Sequence, residues 1–194
     1  MKKEMWKSSA EKLKSVRWLA VMAIFLALRI VVSRFSIPVG VNLYFSFDFL
    51  INAICGMVLG PTAGIVFAVV EDIMSYMLFP DGYGFFAGYT LTAALGILCY
   101  AVCMYDQKQS VLKIAIAKAV SSFGINVMLG SYWTYVLTGG SKAYLYYAGK
   151  SLFKNAVLYP FQVLAIVLLV NLLIPYLSRH HFIKAQKSPM SFIA

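Results

Sequence analysis

Long apolar runs, such as residues 19–28, 51–59 and 163–173, recur through nearly the whole of this 194-residue chain. Only 12% of its residues carry a charge, against 61% that are hydrophobic. Such a sequence fits an all-α, polytopic membrane protein. The hydrocarbon core is ~30 Å thick, so each spanning helix needs roughly 20 residues. Six spans are predicted, over 16–35, 45–59, 61–79, 84–105, 111–137 and 151–177. The alternative is five, with the short second segment re-entrant. Turn chemistry falls between them: Pro38 and Gly40, then Gly60 with Pro61, the run Phe79-Pro80-Asp81-Gly82-Tyr83-Gly84, and Gly139, Gly140 and Gly149. The expected organisation is a basic cytoplasmic segment at 1–15, a six-helix transmembrane domain at 16–178 and a basic cytoplasmic tail at 179–194. No segment is long enough for a soluble domain.

The net charge of +10 reports topology rather than nucleic-acid affinity. Lys2, Lys3, Lys7, Lys12, Lys14 and Arg17 precede the first span. Lys108, Lys113 and Lys118 fall in the connection at 105–118, and Arg179, Lys184 and Lys187 in the tail. All twelve lie on one side of a six-span arrangement, which predicts that both termini are cytoplasmic. The first 17 residues are polar and basic throughout, with no small-residue cleavage site. They are expected to form an amphipathic approach to the first helix.

Against this background Arg29, Asp48, Glu71, Asp72 and Lys154 stand out, because charge at membrane depth is expensive and marks a ligand or ion pathway by default. In the six-span arrangement Arg29, Asp48, Asp72 and Lys154 all sit toward the outer end, and no charge interrupts the inner halves away from helix ends. An outward-facing ligand pocket fits that pattern better than an ion conductor. Glu71 and Asp72 point ~100° apart around their helix and so take different roles. Asp72, Ser75, Tyr76 and Phe79 form one stripe. The structural alternative is that Asp72 pairs with Arg29 or Lys154 to hold helices together, although a buried pair is weak evidence of stabilisation. Asn52, Asn126 and Asn155 suit interhelical hydrogen bonds. Aromatic residues crowd the outer loops: Tyr44, Phe45 and Phe47, then Tyr83, Phe85 and Phe86, then Tyr144, Tyr146 and Tyr147. Part of this set is an interfacial belt and part is available to line a pocket, as is Trp133 with Tyr132 and Tyr135.

Small residues at four-residue spacing, Ala23/Ala27, Gly56/Gly60/Gly64, Gly88/Thr92/Gly96 and Ala115/Ala119, permit close helix approach in lipid. Arg29 points about 140° away from the midpoint of Ala23 and Ala27. The first helix therefore carries a smooth face for a partner protein and a separate charged face for the bundle interior.

Other chemistries find little support. Cys55, Cys99 and Cys103 lie in apolar runs without a metal-ligand set, and the only histidines, His180 and His181, are in the tail. Gly149-Lys150-Ser151 is no Walker A sequence, because Tyr144 occupies the leading glycine position. Six spans without internal duplication are few for a self-sufficient secondary transporter. A binding subunit that borrows its energy source is the better reading. An intramembrane enzyme or assembly factor using Arg29 and Asp72 is the competing class, with no intramembrane His to serve a nucleophile.

Several stretches, taken in order, resemble the substrate-binding S components of energy-coupling factor (ECF) transporters, most closely the folate-specific type. They are Leu28-Arg29-Ile30-Val31-Val32-Ser33-Arg34-Phe35-Ser36-Ile37-Pro38, Gly56-Met57-Val58-Leu59-Gly60-Pro61, and Asp72 with Leu78-Phe79-Pro80. Gly88-Tyr89-Thr90-Leu91-Thr92-Ala93-Ala94-Leu95-Gly96 follows, then Lys154-Asn155 ahead of Pro160. The resemblance implies a multi-pass cell-membrane subunit of an ABC vitamin importer, with no ATPase motif or cofactor of its own. Its implied partners are a transmembrane coupling protein, docked on Ala23 and Ala27, and two cytoplasmic ATPases. A pterin presents adjacent N–H donors that a carboxylate such as Asp72 accepts in parallel. Phe85, Phe86 or Trp133 suit its flat face, and Arg34, Lys150 or Lys154 its anionic tail, with Arg29 counted among the substrate-binding residues. Riboflavin or another pterin-like compound is the alternative ligand.

Overall fold

The computed structural model describes residues 2–40, 43–80, 84–186 and 190–192, without the side chains of 2 and 36–45. Asp81, Gly82, Tyr83 and Lys187, and the side chains of Lys2, Tyr44 and Phe45, therefore lie outside the described residues. The elements are α1 (Lys2–Lys12), α2 (Val16–Val32), an antiparallel pair β1 (Ser36–Gly40) and β2 (Leu43–Ser46), α3 (Asp48–Leu78) and α4 (Ala87–Met104). They continue with α5 (Val111–Ala119), a π-helical stretch (Val120–Gly130), α6 (Ser131–Leu137) and α7 (Tyr144–Arg179). The fold is helical, and among the described residues its strand pairing is limited to the short hairpin and an isolated bridge between Ser110 and Ser191.

Helix α3 is two helices in one. Asp48 and Glu71 would stand about 35 Å apart on a straight helix, yet both carboxylates lie within 3.7 Å of the Arg29 side chain. The chain therefore folds back at Gly60, whose φ of 81° and ψ of −172° break the helix just before Pro61. Asp48 and Glu71 sit 12 and 11 residues either side of that turn, level with each other on antiparallel limbs. A side chain at 60 would be strained in this conformation and would strike the Tyr105 ring, 2.8 Å from the Cβ position. With the limbs counted separately, and α5, the π stretch and α6 forming one continuous span (Val111–Leu137), the bundle has six helices.

The break leaves backbone groups without helical partners, and α1 supplies them. Buried Ser9 donates to the Leu59 carbonyl at 2.8 Å and accepts from the Ala63 amide at 3.0 Å. Lys12 donates to the Val58 carbonyl at 2.5 Å and lies over the Trp18 and Tyr105 rings. Helix α1 thus turns by 84° from α2 and clasps the tip of the hairpin. Both chain ends meet at this end of the bundle: Arg17 donates to the His180 carbonyl at 3.0 Å, and Trp18 packs edge-on against Phe182. Lys184 also pairs with Asp106 there at 3.3 Å. The opposite end carries β1 and β2 and residues 79–80, 84–86 and 138–143.

The core lies where α4 nests against both limbs of α3. Gly56 allows the closest approach, since a Cβ there would stand 2.6 Å from that of Tyr100. Met57, Leu59, Ile97, Met104, Ile114 and Ile166 are fully buried around it. The last helix starts at Tyr144 rather than near Ser151, so Lys150 and Gly149 are helical instead of loop residues. The loop signal at Gly149 was overridden because Tyr144 to Lys150 continue the helix that carries the apolar span.

Candidate functional site

Two neighbouring acids on the second limb of α3 take opposite roles. Glu71 turns inward, and its carboxylate lies 3.5 Å from Arg29 Nε; Asp48 reaches the same atom at 3.7 Å. Arg29 also donates to Asn52 Oδ1. This cluster is nearly dry, with the side chains of Arg29 and Glu71 only 12% and 8% exposed. It joins α2 to both limbs of α3. The pairing of Arg29 with Asp72 weighed from the sequence is not the one formed. Glu71 takes that place because the helical phase, not the order of the acids, decides which one faces Arg29.

Asp72, about 100° further round, instead accepts a 2.5 Å hydrogen bond from Thr90 Oγ1 on α4. Among the described residues it forms no ion pair, and it borders two cavities. One, of about 460 Å³, runs between the helices and is walled by Arg29, Asp48, Asn52, Asp72, Tyr89, Gly96, Tyr100, Lys118, Asn126, Lys154 and Gln162, among others. The second, of about 400 Å³, is a vestibule of Asp72, Ser75, Tyr76, Phe79, Phe85, Phe86, Tyr89 and Thr134. A third, of about 290 Å³, lies between Ser131, Thr134, Tyr146, Tyr147, Lys150, Ser151 and Lys154. Shared walls at Asp72 and Tyr89, at Ser151 and Lys154, and at Thr134 make the three contiguous. Their size suits a small organic molecule.

The structure brings Arg29, Asp72, Phe85, Phe86, Lys150 and Lys154 to these walls. Arg29 is present as a neutralised group, whereas Asp72 is not. Phe85 packs edge-on against Tyr76, and Phe86 against Tyr89 and Trp133. Trp133 itself stands behind the wall, donating from Nε1 to Thr92 Oγ1 at 3.0 Å and backing Phe86. Arg34 is exposed and stacks on Phe79, 3.6 Å from its centroid, so it reaches the vestibule only through that ring. Asn52 bonds across helices as expected of it, while Asn155 donates back to Ser151 within α7. Ala23 and Ala27 lie exposed on α2, on the side away from half-buried Arg29.

Lys118 departs furthest from the sequence reading. Counted there with the cytoplasmic connection, it is only 3% exposed and lines the central cavity. Its connection ends at Ser110, so Lys118 lies two turns inside the span. The signal was present in the spacing of Lys118, Ser121 and Ser122, a polar i, i+3, i+4 face continuing the buried positions Ile114 and Ala117.

The family model for the ECF transporter substrate-specific component matches residues 17–177. The chain belongs to that family. This S component is 30% identical over 154 residues to the folate transporter FolT of Clostridium novyi (strain NT), covering 79% of this chain and 88% of the relative. Its fold also matches a crystal structure of FolT bound with folic acid, with a TM-score of 0.69 and 28% identity, over 77% of this chain and 89% of that one. It is a multi-pass membrane protein of a family of transporter binding components.

Proposed function

We propose that this S component captures folate from the outer side of the cell membrane for ATP-driven import by partner subunits. The observation that carries the reading is the charge layout of the contiguous cavities. Asp72 offers a carboxylate free of any ion pair on one wall, and Lys150 and Lys154 stand on another with no acid beside them among the described residues. A pterin edge donates two N–H groups to a carboxylate, and an anionic glutamate tail suits amines. Tyr76, Phe85, Phe86 and Tyr89 supply faces and edges for a planar ring between them. The kinship with FolT supports the same ligand.

The basic residues gathered at the end that holds both termini support a cytoplasmic placement of that end. The cavities then open outward. The exposed Ala23/Ala27 face of α2 is suited to a transmembrane coupling protein, with two ATPases completing the importer. The subunit on this reading binds and releases its ligand unchanged. Calorimetric titration of the purified subunit with folic acid, without ATP, tests the proposal: one site per chain is expected. Absence of folate heat alongside clear binding of another vitamin would replace the ligand and keep the class.

A further inference from the structure

One buried side chain has no role in the folate reading. Lys118 is 3% exposed and lines the 460 Å³ cavity. It lies seven residues beyond the start of α5, about 10 Å into the span. Among the described residues it has no hydrogen bond and no ion pair. Its one recorded contact of note is the Phe49 ring, 5.0 Å from Nζ, and the charge that bears on it is another cation, Lys154. Arg29 in the same wall has two carboxylates and an amide; Lys118 has none. A buried ammonium without a counter-group is strongly unfavourable, and a protein keeps one where something outside the chain completes it. A second orphan points the same way. Gln162 Oε1, on the same cavity, is buried without a donor, and it has not paired with Lys118. A donor and an acceptor left open around one cavity leave room for a guest with the opposite pattern.

We propose that Lys118 is a ligand-binding residue whose ammonium donates to an oxygen acceptor of the molecule that fills the cavity. This rests on the folate reading above, in which that oxygen is either the pterin ring carbonyl or a carboxylate of the tail. The lysine then trades stability of the empty subunit for affinity, and one variant reads both quantities.

The experiment compares wild type, Lys118→Met and Lys118→Arg, each purified as the full chain. Melting without ligand comes first, then titration with folic acid, with pteroic acid, which lacks the glutamate, and with aminopterin, which carries an amino group in place of the ring carbonyl. Lys118→Met is expected to melt at or above the wild-type temperature, because an unpaired buried charge is gone. It is expected to bind folic acid roughly 30-fold or more weakly, with Lys118→Arg retaining more of the affinity. If the Met penalty persists for pteroic acid and vanishes for aminopterin, the acceptor is the ring carbonyl; the reverse pattern places it on the tail. Unchanged folic acid affinity in Lys118→Met overturns the proposal with the folate reading intact. A lower melting temperature or failure to fold makes Lys118 a structural residue and also overturns it. Wild-type protein that ignores folic acid overturns the parent reading, and this proposal with it.

Discussion

Arg29 and Lys118 line one cavity and differ in what they have been given. Arg29 is ringed by Asp48, Glu71 and Asn52, contributed by both limbs of the α3 hairpin. Among the described residues, Lys118 faces an aromatic ring and a like charge and no acid. The acids repeat the contrast one residue apart, Glu71 consumed by Arg29 and Asp72 held by nothing stronger than the Thr90 hydroxyl. On the proposed reading, paired charge in this bundle builds the frame, and unpaired charge is left for what enters it. Sequence spacing alone reports that charges are deep; only their partners divide frame from site.

Removing Arg29 should produce the largest effect. Arg29→Met leaves Asp48 and Glu71 buried together without a cation, and breaking such a pair costs about 3–5 kcal/mol. The expected result is poor expression and a strongly lowered melting temperature in detergent. Were Arg29→Met to fold as wild type and lose only folate binding, Arg29 would move to the ligand side and the contrast would collapse. Asp72→Asn should do the opposite, melting as wild type while folate affinity falls by about 2–5 kcal/mol, roughly 30- to several-thousand-fold. Normal binding with lost stability would make Asp72 frame instead. Gly96 separates space from charge. A Cβ at Gly96 meets nothing within 4 Å, and the residue borders the cavity. Gly96→Ala should raise stability by about 1 kcal/mol through helix propensity alone, whereas Gly96→Leu should keep the fold and exclude ligand, as melting and titration of both variants will tell. The smallest effect on binding is expected at the outer face of α2. Ala23→Trp should leave folate affinity within about twofold, as for exposed sites generally, yet abolish co-purification with the coupling protein. Retained co-purification would return Ala23 to ordinary packing.

Much of the frame was legible in the sequence because its signals are local. Gly60 followed by Pro61 cannot sit inside one straight span, so the reversal, and with it the count of six, could be read from two residues. The family motifs placed Asp72 and Lys154 at the cavity for the same reason of linear order. What escaped depended on rotation and on distant partners. The choice between Glu71 and Asp72 turns on 100° of helical phase, and Lys118 reads with the basic residues at the inner end of its span until its burial against the cavity is seen. Ser9 gave no signal at all, since the groups it bonds are 50 and 54 residues away and are left open only once Gly60 has broken the helix.

The fold-back at Gly60 also sets a thickness. The limb at 48–59 spans about 18 Å and α2 about 25 Å, whereas the span at 111–137 reaches about 40 Å and α7 more than 50 Å. A hydrocarbon core of ~30 Å is thus thicker than the short helices are long and thinner than the long ones. Lipid beside α2 thins to meet it, while the long helices lean to fit; the first limb is buried within the bundle. The subunit thus carries hydrophobic mismatch along α2, the helix on which Ala23 and Ala27 lie exposed, and a bilayer of altered thickness would press on that helix first.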